Sequence, residues 1–298
     1  MARIGLVLGA GGVVGGAFHE GVLRAITDAT GWDPRDATII VGTSAGSHVG
    51  AMLRGGAVTR GRALGRATPA EAAAPRRRFA PASPGLLLRG LTRPGSVRVG
   101  AMLAGALPAG QMSFAATIAP VERVYGNRWP DAPLWLSAVR LRDGARVVFG
   151  REGAPVASVG QAVAASCAIP GYFTPVTIDG DRYVDGGVYS ATSADLLAGQ
   201  DLDLVLVSAP MGAARGALSV AAHLQGRSYM RLRLAAEARA VRRSGTDLVA
   251  FSPTAEDQPV MGWNSMSGAR RAEVVERAYQ SASRRLEDAR WTGALSAL

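Results

Sequence analysis

A serine set between two glycines is the side chain of this sequence best suited to nucleophilic chemistry. Ser44 is the centre of Gly42-Thr43-Ser44-Ala45-Gly46, a G-x-S-x-G pentapeptide between a β-branched run and a segment of helical character. This context predicts a nucleophile elbow, a sharp strand-to-helix turn that exposes the serine hydroxyl. A Cβ atom at either flanking glycine would collide with the neighbouring strand and helix. The N-terminus of the following helix would also favour negative charge at Ser44.

The chain offers few histidines to serve as the base that a serine nucleophile needs. A Ser–Asp–His triad in the usual hydrolase chain order would place its histidine after the acid. His19 and His48 precede every candidate acid, and His223 lies in a predicted Arg-rich helix with no loop signal beside it. A hydrogen-bonded or solvated histidine explains each of the three more simply. The sequence therefore favours a base other than histidine.

An aspartate that follows a short predicted strand is the alternative base. Asp185 comes after the strand over 182–184 and leads into Gly186 and Gly187. Two glycines let the backbone approach another segment closely and leave the carboxylate unobstructed, although Asp-Gly is also a common plain turn. Other acids stay open for this role on the residues alone: Asp179, Asp181, Asp195 and Asp201.

A glycine-rich turn between the first predicted strand and helix could bind an anion. It reads Gly9-Ala10-Gly11-Gly12-Val13-Val14-Gly15-Gly16, and successive backbone N–H groups of such a turn can point at one negative charge. In acyl transfer such a donor stabilises the tetrahedral oxyanion, typically by roughly 3–4 kcal/mol of barrier. Nucleotide binding is the competing interpretation. However, Val14 occupies the place of the third Rossmann glycine, and a Walker loop needs a lysine, which the chain lacks.

Strands and helices alternate along the chain and must position these residues. Apolar patterning predicts strands over 3–8, 38–41, 182–184, 203–207 and 248–251, and a hairpin of 134–139 with 145–149. It predicts helices over 17–29, 44–53, 159–168, 218–243 and 270–290. This order is typical of a mainly parallel sheet with crossover helices.

Residues 57–110, called the cap segment below, have a different composition. They contain six prolines, the run Arg76-Arg77-Arg78, and apolar clusters over 86–88 and 99–107. These features predict loops and short amphipathic helices inserted into the fold. The segment could dip into a membrane interface or pack as an ordinary helical cap over the site, and the sequence leaves both interpretations open.

Composition describes a globular chain with a large excess of positive charge. The 298 residues are 48% hydrophobic and carry a formal net charge of +10, and all 33 basic residues are arginines. Attraction to an anionic lipid surface and coding bias both explain this excess. No nucleic-acid partner is expected, because no nucleic-acid module is recognisable. The sequence has no membrane-spanning segment and no signal-peptide layout, and it contains a single cysteine, Cys167. These features predict a cytoplasmic protein.

Together and in this order, the motifs resemble those of the patatin-like phospholipase family. The opening Gly5-Leu-Val-Leu-Gly-Ala-Gly-Gly, the 42–46 elbow and Asp185-Gly186-Gly187 are similar to its oxyanion, nucleophile and acid blocks. The segment 165–176, Ala-Ser-Cys-Ala-Ile-Pro-Gly-Tyr-Phe-Thr-Pro-Val, resembles the stretch before the family's acid. The similarity spans about residues 4–210.

The resemblance implies a serine hydrolase of lipid acyl esters that works through a Ser–Asp dyad without histidine. Ser44 would attack the ester carbonyl to form an acyl-enzyme, Asp185 would act as the base, and water would release a fatty acid. Gly186 and Gly187 would support the acid loop. No metal or cofactor is implied. The amides expected to hold the oxyanion are those of Gly11, Gly12, Val13 and Ala45.

One position departs from the family pattern. The family's loop usually has an arginine where this chain has Val14, and the substitution removes a cation that could meet a phosphate. A phosphate contact would then come from the cap segment, for example from Arg76, Arg77, Arg78, Arg89 or Arg93.

The expected fold is a three-layer α/β/α sandwich with a mainly parallel central sheet. It would form a single domain over 1–298, with the cap segment inserted and the last strand and C-terminal helices in 211–298. The expected function is that of a phospholipase A or lysophospholipase, with peripheral contact to an anionic membrane surface. A carboxylesterase or acyltransferase of small or neutral esters is one alternative. A non-catalytic lipid- or nucleotide-binding module is the alternative from another class, and the oligomeric state stays open.

Overall fold

A central β-sheet organises the protein. The computed structural model describes residues 2–57, 81–92, 99–212 and 221–288. The strands within these ranges are β1 (Ile4–Leu8), β2 (Ile39–Thr43), β3 (Leu134–Arg140), β4 (Arg146–Phe149), β5 (Val176–Ile178), β6 (Asp181–Asp185), β7 (Leu204–Ser208) and β8 (Asp247–Phe251).

Helices connect and cover these strands. Within the same ranges they are α1 (Gly12–Thr30), α2 (Ala45–Arg54), α3 (Pro84–Thr92), α4 (Val99–Ala106), α5 (Ala115–Tyr125), α6 (Val159–Cys167), α7 (Ala221–Arg243), α8 (Gln258–Met261) and α9 (Arg271–Leu286). None of these helices has the length and apolar character needed to cross a membrane.

The sheet is mainly parallel, as the sequence predicts. Its strands lie in the order β5-β6-β3-β2-β1-β7-β8, and β4 pairs with β3. The consecutive strands β3, β2, β1, β7 and β8 run parallel, whereas β4, β5 and β6 form antiparallel pairs. Parallel strands covered on both faces need continuous apolar runs, and every residue of β1, β2 and β7 is buried. The predicted hairpin is present as β3 and β4.

The two faces of the sheet carry separate apolar cores. One core joins the sheet to α1, α2, α6 and α9, and the other joins it to α7 and the 194–202 segment. Helix α1 packs closely along α9, since a Cβ at Gly21 would lie only 2.3 Å from the carbonyl oxygen of Val275. Helices therefore cover both faces, which confirms the predicted three-layer α/β/α arrangement.

Strand β3 brings the ends of two other strands together. Thr43, the last residue of β2, pairs with Ser137, and Asp185, the last residue of β6, pairs with the next residue, Ala138. Ser44 directly follows Thr43. The predicted nucleophile and the predicted acid therefore leave the sheet at neighbouring positions.

The first helix begins earlier than the sequence predicts. Helix α1 starts at Gly12, so the predicted glycine turn over 9–16 and helix start at Ala17 are wrong. Glycine is required by close packing at this helix start, because a Cβ at Gly11 would lie 2.6 Å from the Cα of Gly15. Most of the glycine-rich stretch is thus the first turn of a helix, whose amides have no intrahelical partner.

Among the elements that are not evident in the sequence are α5 and β5. Helix α5 contains Pro120, which removes a backbone donor and usually ends a helix. Tertiary contacts hold it in place: the Tyr125 hydroxyl donates to the carbonyl oxygen of Ala51 at 2.6 Å. Strand β5 has only three residues and pairs with β6 at the end of the strand order. A run this short carries too little periodicity to be recognised.

Two short helices, α3 and α4, lie in the described part of the cap segment, where the sequence predicts short helices. Helix α4 packs on the turn after Asp185, because a Cβ at Gly100 would lie 2.3 Å from the carbonyl oxygen of Val188. The inner side chains of both helices join the ends of β3 and β6 in a small apolar cluster of Leu86, Ala101, Ala104, Val139, Leu141 and Val184. The cap helices therefore pack directly beside the predicted acid.

Candidate active site

The nucleophile elbow predicted around Ser44 is present. Ser44 has a φ of 53° and a ψ of −122°, a strained conformation for a residue with a Cβ, which costs roughly 1–3 kcal/mol. A Cβ at Gly42 would lie 2.6 Å from the Cα of Ser47 in α2. A Cβ at Gly46 would lie 1.9 Å from the carbonyl oxygen of Leu8 in β1. Both glycines are thus required by the approach of helix and strand, as predicted.

Three side chains fix the strained backbone of Ser44. Its N–H donates to the Ser166 hydroxyl at 2.9 Å, and that hydroxyl donates onward to the carbonyl oxygen of Ser137 at 2.7 Å. Its carbonyl oxygen accepts hydrogen bonds from the Ser47 hydroxyl at 2.6 Å and from the Cys167 thiol at 3.1 Å. All of these groups are buried, so the hydrogen bonds hold the elbow without competition from water.

The Asp185 carboxylate meets the Ser44 hydroxyl. The Ser44 hydroxyl favours the ionised form of Asp185, and so does the Gly187 N–H, which donates to the carboxylate at 2.7 Å. Burial acts in the opposite direction and is stronger, so the pKa of Asp185 rises from its ordinary 3.8 to about 6. Asp185 is therefore mostly ionised at neutral pH, yet basic enough to accept a proton.

The turn after Asp185 explains its two glycines. A Cβ at Gly186 would lie 2.2 Å from the carbonyl oxygen of Ser137, so only glycine allows the turn to pack against β3. A Cβ at Gly187 would lie 3.0 Å from a carboxylate oxygen of Asp185 and 3.4 Å from the Cβ of Ala10. Both glycines thus leave the carboxylate room to face Ser44.

The other acids that the sequence leaves open are exposed or form ion pairs elsewhere. Asp179 is exposed. Three form ion pairs: Asp181 with Arg140 and Arg142, Asp195 with Arg146, and Asp201 with Arg3. In the ranges that the structure describes, none of the four contacts Ser44, and no three acidic, histidine or cysteine side chains are grouped to hold a metal.

His19 is a buried histidine with both ring nitrogens occupied. Nδ1 lies 2.8 Å from the Ser208 hydroxyl, and Nε2 lies 2.8 Å from the carbonyl oxygen of Gly9. Because a carbonyl oxygen only accepts, the proton is on Nε2. Burial lowers the pKa of His19 to about 4, so the ring is neutral at pH 7. His19 therefore anchors the start of the glycine-rich stretch.

Among the described side chains, that of His48 shows no hydrogen bond to Ser44, although the His48 backbone N–H donates to the Ser44 carbonyl oxygen at 3.4 Å. His48 lies one turn further along α2, where burial lowers its pKa. Its buried Nδ1 has no hydrogen-bond partner among the described residues. The side chain of His223 lies outside the described residues.

Four backbone amides around the elbow have no hydrogen-bond partner in the described part of the chain. The amides beside them are paired, since those of Ala10, Val14 and Gly46 donate to carbonyl oxygens. The unpaired amides lie at the starts of α1 and α2, where helix dipoles favour negative charge. They belong to Gly11, Gly12, Val13 and Ala45, the residues expected to form the oxyanion hole.

Val14 occupies the sequence position of the family's arginine, but its side chain does not serve the site as that arginine would. Its side chain is buried in the core, and its N–H donates to the carbonyl oxygen of Ser265 at 3.0 Å. Of the arginines considered for a phosphate contact, Arg89 is exposed on α3. The others lie outside the described residues: Arg76, Arg77, Arg78 and Arg93.

The serine elbow on a mainly parallel sheet is that of a hydrolase that acts on ester bonds, a class that the family match supports. A family model described as patatin-like phospholipase matches residues 6–198. The chain therefore belongs to the patatin-like phospholipase family. It is also similar to the crystal structure of VipD from Legionella pneumophila, with a TM-score of 0.47 and 14% sequence identity, over 99% of this chain and 67% of that one.

Proposed function

We propose that the protein hydrolyses acyl esters of lipids, as a phospholipase A or lysophospholipase, through a Ser44–Asp185 dyad. The observation that carries the proposal is that Ser44 and the buried Asp185 leave the sheet at neighbouring positions, where the Ser44 hydroxyl favours the ionised form of the carboxylate. Membership of the patatin-like phospholipase family supports lipid acyl esters as the substrate class. The proposed reaction needs neither a metal nor a cofactor.

The proposed reaction has two halves. Asp185 accepts the Ser44 proton as Oγ attacks the ester carbonyl, and the same proton passes to the departing alcohol, which leaves an acyl-enzyme. Asp185 then takes a proton from water, the hydroxide attacks the acyl carbonyl, and Ser44 regains its proton as the fatty acid leaves. The raised pKa of Asp185 suits both directions of transfer, because the carboxylate is ionised at rest and readily protonated.

The proposed oxyanion hole is formed by the unpaired amides at the starts of α1 and α2. Gly11, Gly12 and Val13 are on the glycine-rich side, and Ala45 directly follows the nucleophile. Each amide aimed at the developing negative charge contributes roughly 3–4 kcal/mol to transition-state stabilisation. Because no rearrangement is needed to free these donors, the site is organised in advance of substrate binding.

A panel of esters tests the proposed substrate class. We expect purified protein to release fatty acid from phospholipids or lysophospholipids, and the Ser44→Ala variant to release none above background. Turnover of p-nitrophenyl esters alone would favour a carboxylesterase, and acyl transfer to an added alcohol would favour an acyltransferase. A folded protein inactive on the whole panel would instead favour a non-catalytic binding module and contradict the proposal.

We further propose that the cap segment contacts an anionic membrane surface from a cytoplasmic position, within a single domain over 1–298. Leu88 and Leu91 on α3 and Leu103 on α4 are each more than 60% exposed. Between Glu71 and Glu122 the chain has six arginines and no acidic residue. Exposed apolar side chains in such a basic stretch suit the interface of an anionic bilayer.

Vesicle sedimentation tests the membrane proposal. We expect binding to anionic vesicles to fall as salt is raised, because screening weakens attraction to lipid headgroups. The double variant Leu88→Ser/Leu91→Ser should bind at least about tenfold more weakly, since each buried leucine contributes roughly 1.5–3 kcal/mol. Val156→Ser, at a site 92% exposed near the start of α6, is the matched control and should bind normally. Salt-insensitive binding, or equal binding by all variants, would contradict the proposal.

A further inference from the structure

A buried carboxylate on α7 is the strongest polar cluster outside the proposed dyad. Glu237 is 3% exposed, and both of its oxygens are fully engaged. The Ser190 hydroxyl donates to Oε1 at 2.5 Å, and the Thr192 hydroxyl and the Ala194 N–H donate to Oε2 at 2.6 and 3.0 Å. Arg233, one helical turn earlier, contacts Oε1 at 3.4 Å. A buried carboxylate with four donors holds its partners in one arrangement.

The partners of Glu237 belong to the segment that joins the two halves of the proposed active site. At one end, the Ser190 N–H donates to the carbonyl oxygen of Gly186, directly after Asp185. In the middle, the carbonyl oxygen of Ala191 accepts the N–H of Ala10 at 2.7 Å, next to the unpaired amides of α1. The 190–194 segment is therefore tied both to the acid turn and to the glycine-rich stretch.

Side chains on neighbouring elements restrain the same segment. Arg146 on β4 forms two hydrogen bonds of 2.7 Å with Asp195, and its guanidinium lies 4.7 Å from the ring centre of Tyr189. Arg233 lies 5.7 Å from the same ring. Ser193 has a left-handed backbone with a φ of 53°, which tertiary contacts must enforce. Glu237 supplies the most direct of these contacts, since it binds the residues on both sides of Ser193.

We infer that Glu237 is a positioning residue, which sets the spacing between the Asp185 carboxylate and the oxyanion amides by holding the 190–194 segment. The inference rests on the proposed function, because it assigns catalytic value to that spacing. Glu237 acts only through the backbone, with no contact to Ser44 or Asp185 among the described residues. The effect should therefore appear in the chemical step more than in substrate binding.

Glutamine cannot replace Glu237 in this cluster, although it has the same shape. The Ser190 oxygen already accepts the N–H groups of Thr192 and Ser193, at 3.2 and 3.0 Å, so its proton must go to Glu237. An amide NH₂ turned toward Ser190 would therefore meet an oxygen with no free lone pair. Turned the other way, it would face the N–H of Ala194, which can only donate.

Parallel kinetics of Glu237→Gln and Val241→Ala test the inference. Val241 is buried on the same helix but contributes only apolar packing, so its truncation controls for lost stability. We expect Glu237→Gln to lower kcat at least tenfold on a soluble ester while KM changes less than twofold. Val241→Ala should lower the melting temperature yet keep kcat within twofold. Folded Glu237→Gln with wild-type kcat, or equal kcat losses in both variants, would overturn the inference.

Hydrogen exchange separates failure of this inference from failure of the proposed function. We expect Glu237→Gln, but not Val241→Ala, to speed amide exchange in peptides covering residues 9–13. Faster exchange in Glu237→Gln, combined with an inactive wild-type protein, would contradict the hydrolase proposal and still support the positioning role. Unchanged exchange would overturn the positioning role. If Glu237→Gln does not fold, Thr192→Val replaces it as the test, because it removes one donor to Glu237. This variant should lower kcat at least threefold. A wild-type kcat in Thr192→Val would overturn the positioning role.

Discussion

Asp185→Asn is expected to reduce kcat/KM by at least about 10³-fold while leaving the protein folded. Asparagine keeps the oxygen that accepts the Gly187 N–H, but it cannot take the Ser44 proton. The variant thus removes the base and little else. The measurement is the initial rate on a soluble p-nitrophenyl ester, with fold checked by circular dichroism.

The same variant should be at least as stable as the wild type at pH 7. The pKa of Asp185 is higher in the folded protein, about 6, than its ordinary value of 3.8. The folded state therefore holds this proton more tightly, and ionisation of Asp185 removes stability as pH rises from about 4 to about 6. Asparagine avoids that penalty, which amounts to as much as about 3 kcal/mol. A loss of activity with a gain in stability is the signature of a strained catalytic group.

Two matched variants define the specificity of this result. Asp179→Asn makes the same chemical change at an exposed acid and should keep wild-type turnover. His48→Gln changes the histidine nearest to Ser44 on α2 and should retain most turnover. If Asp185→Asn kept more than a tenth of the activity, or His48→Gln lost as much as Asp185→Asn, the base would not be Asp185.

Gly46→Ala is expected to have the largest effect on folding of any single-methyl addition at the site. The new Cβ would lie 1.9 Å from the carbonyl oxygen of Leu8 and 2.8 Å from that of Gly9. Both are backbone atoms in or beside the central strand β1, so neither can move without disturbing the sheet. The Gly46 N–H, which donates to Gly9 at 3.2 Å, would be pulled away as well. We expect a loss of about 3 kcal/mol or more in the free energy of unfolding.

A second glycine-to-alanine change supplies the control for Gly46→Ala. Gly16 lies in the first turns of α1, and a Cβ there would meet nothing within 4 Å. Gly16→Ala should therefore stabilise the protein by up to about 1 kcal/mol, through higher helix propensity and a less flexible unfolded chain. Urea unfolding of both variants measures the two effects. Equal stability of Gly46→Ala and the wild type would contradict the tight elbow described above.

Local sequence signals were sufficient for the parallel strands of the sheet and for the elbow. Strands such as β1, β2 and β7 are short continuous apolar runs, and buried parallel strands require that pattern. The elbow was predictable because the two glycines and the serine are fixed by backbone clashes within a few residues. In both cases the physical constraint acts over a short stretch of chain, so a single sequence reveals it.

Contacts between distant segments explain what the sequence did not reveal. Ser166 and Cys167 end a buried helix and look like small core residues, yet they bond the backbone of Ser44 more than 120 positions earlier. Glu237 reads as one more charge in an Arg-rich helix, although it is buried and binds Ser190 and Thr192. Such roles depend on tertiary partners, which periodicity and propensity do not encode.

The most direct test of the dyad is the rate at which a fluorophosphonate labels the protein as a function of pH, with the adduct located by mass spectrometry. We predict a single adduct on Ser44. Its rate should fall as pH drops through about 6, because protonation of Asp185 removes the base, and the profile should be the same in His48→Gln. An adduct elsewhere, no adduct, or a profile lost with His48 would contradict a Ser44–Asp185 dyad.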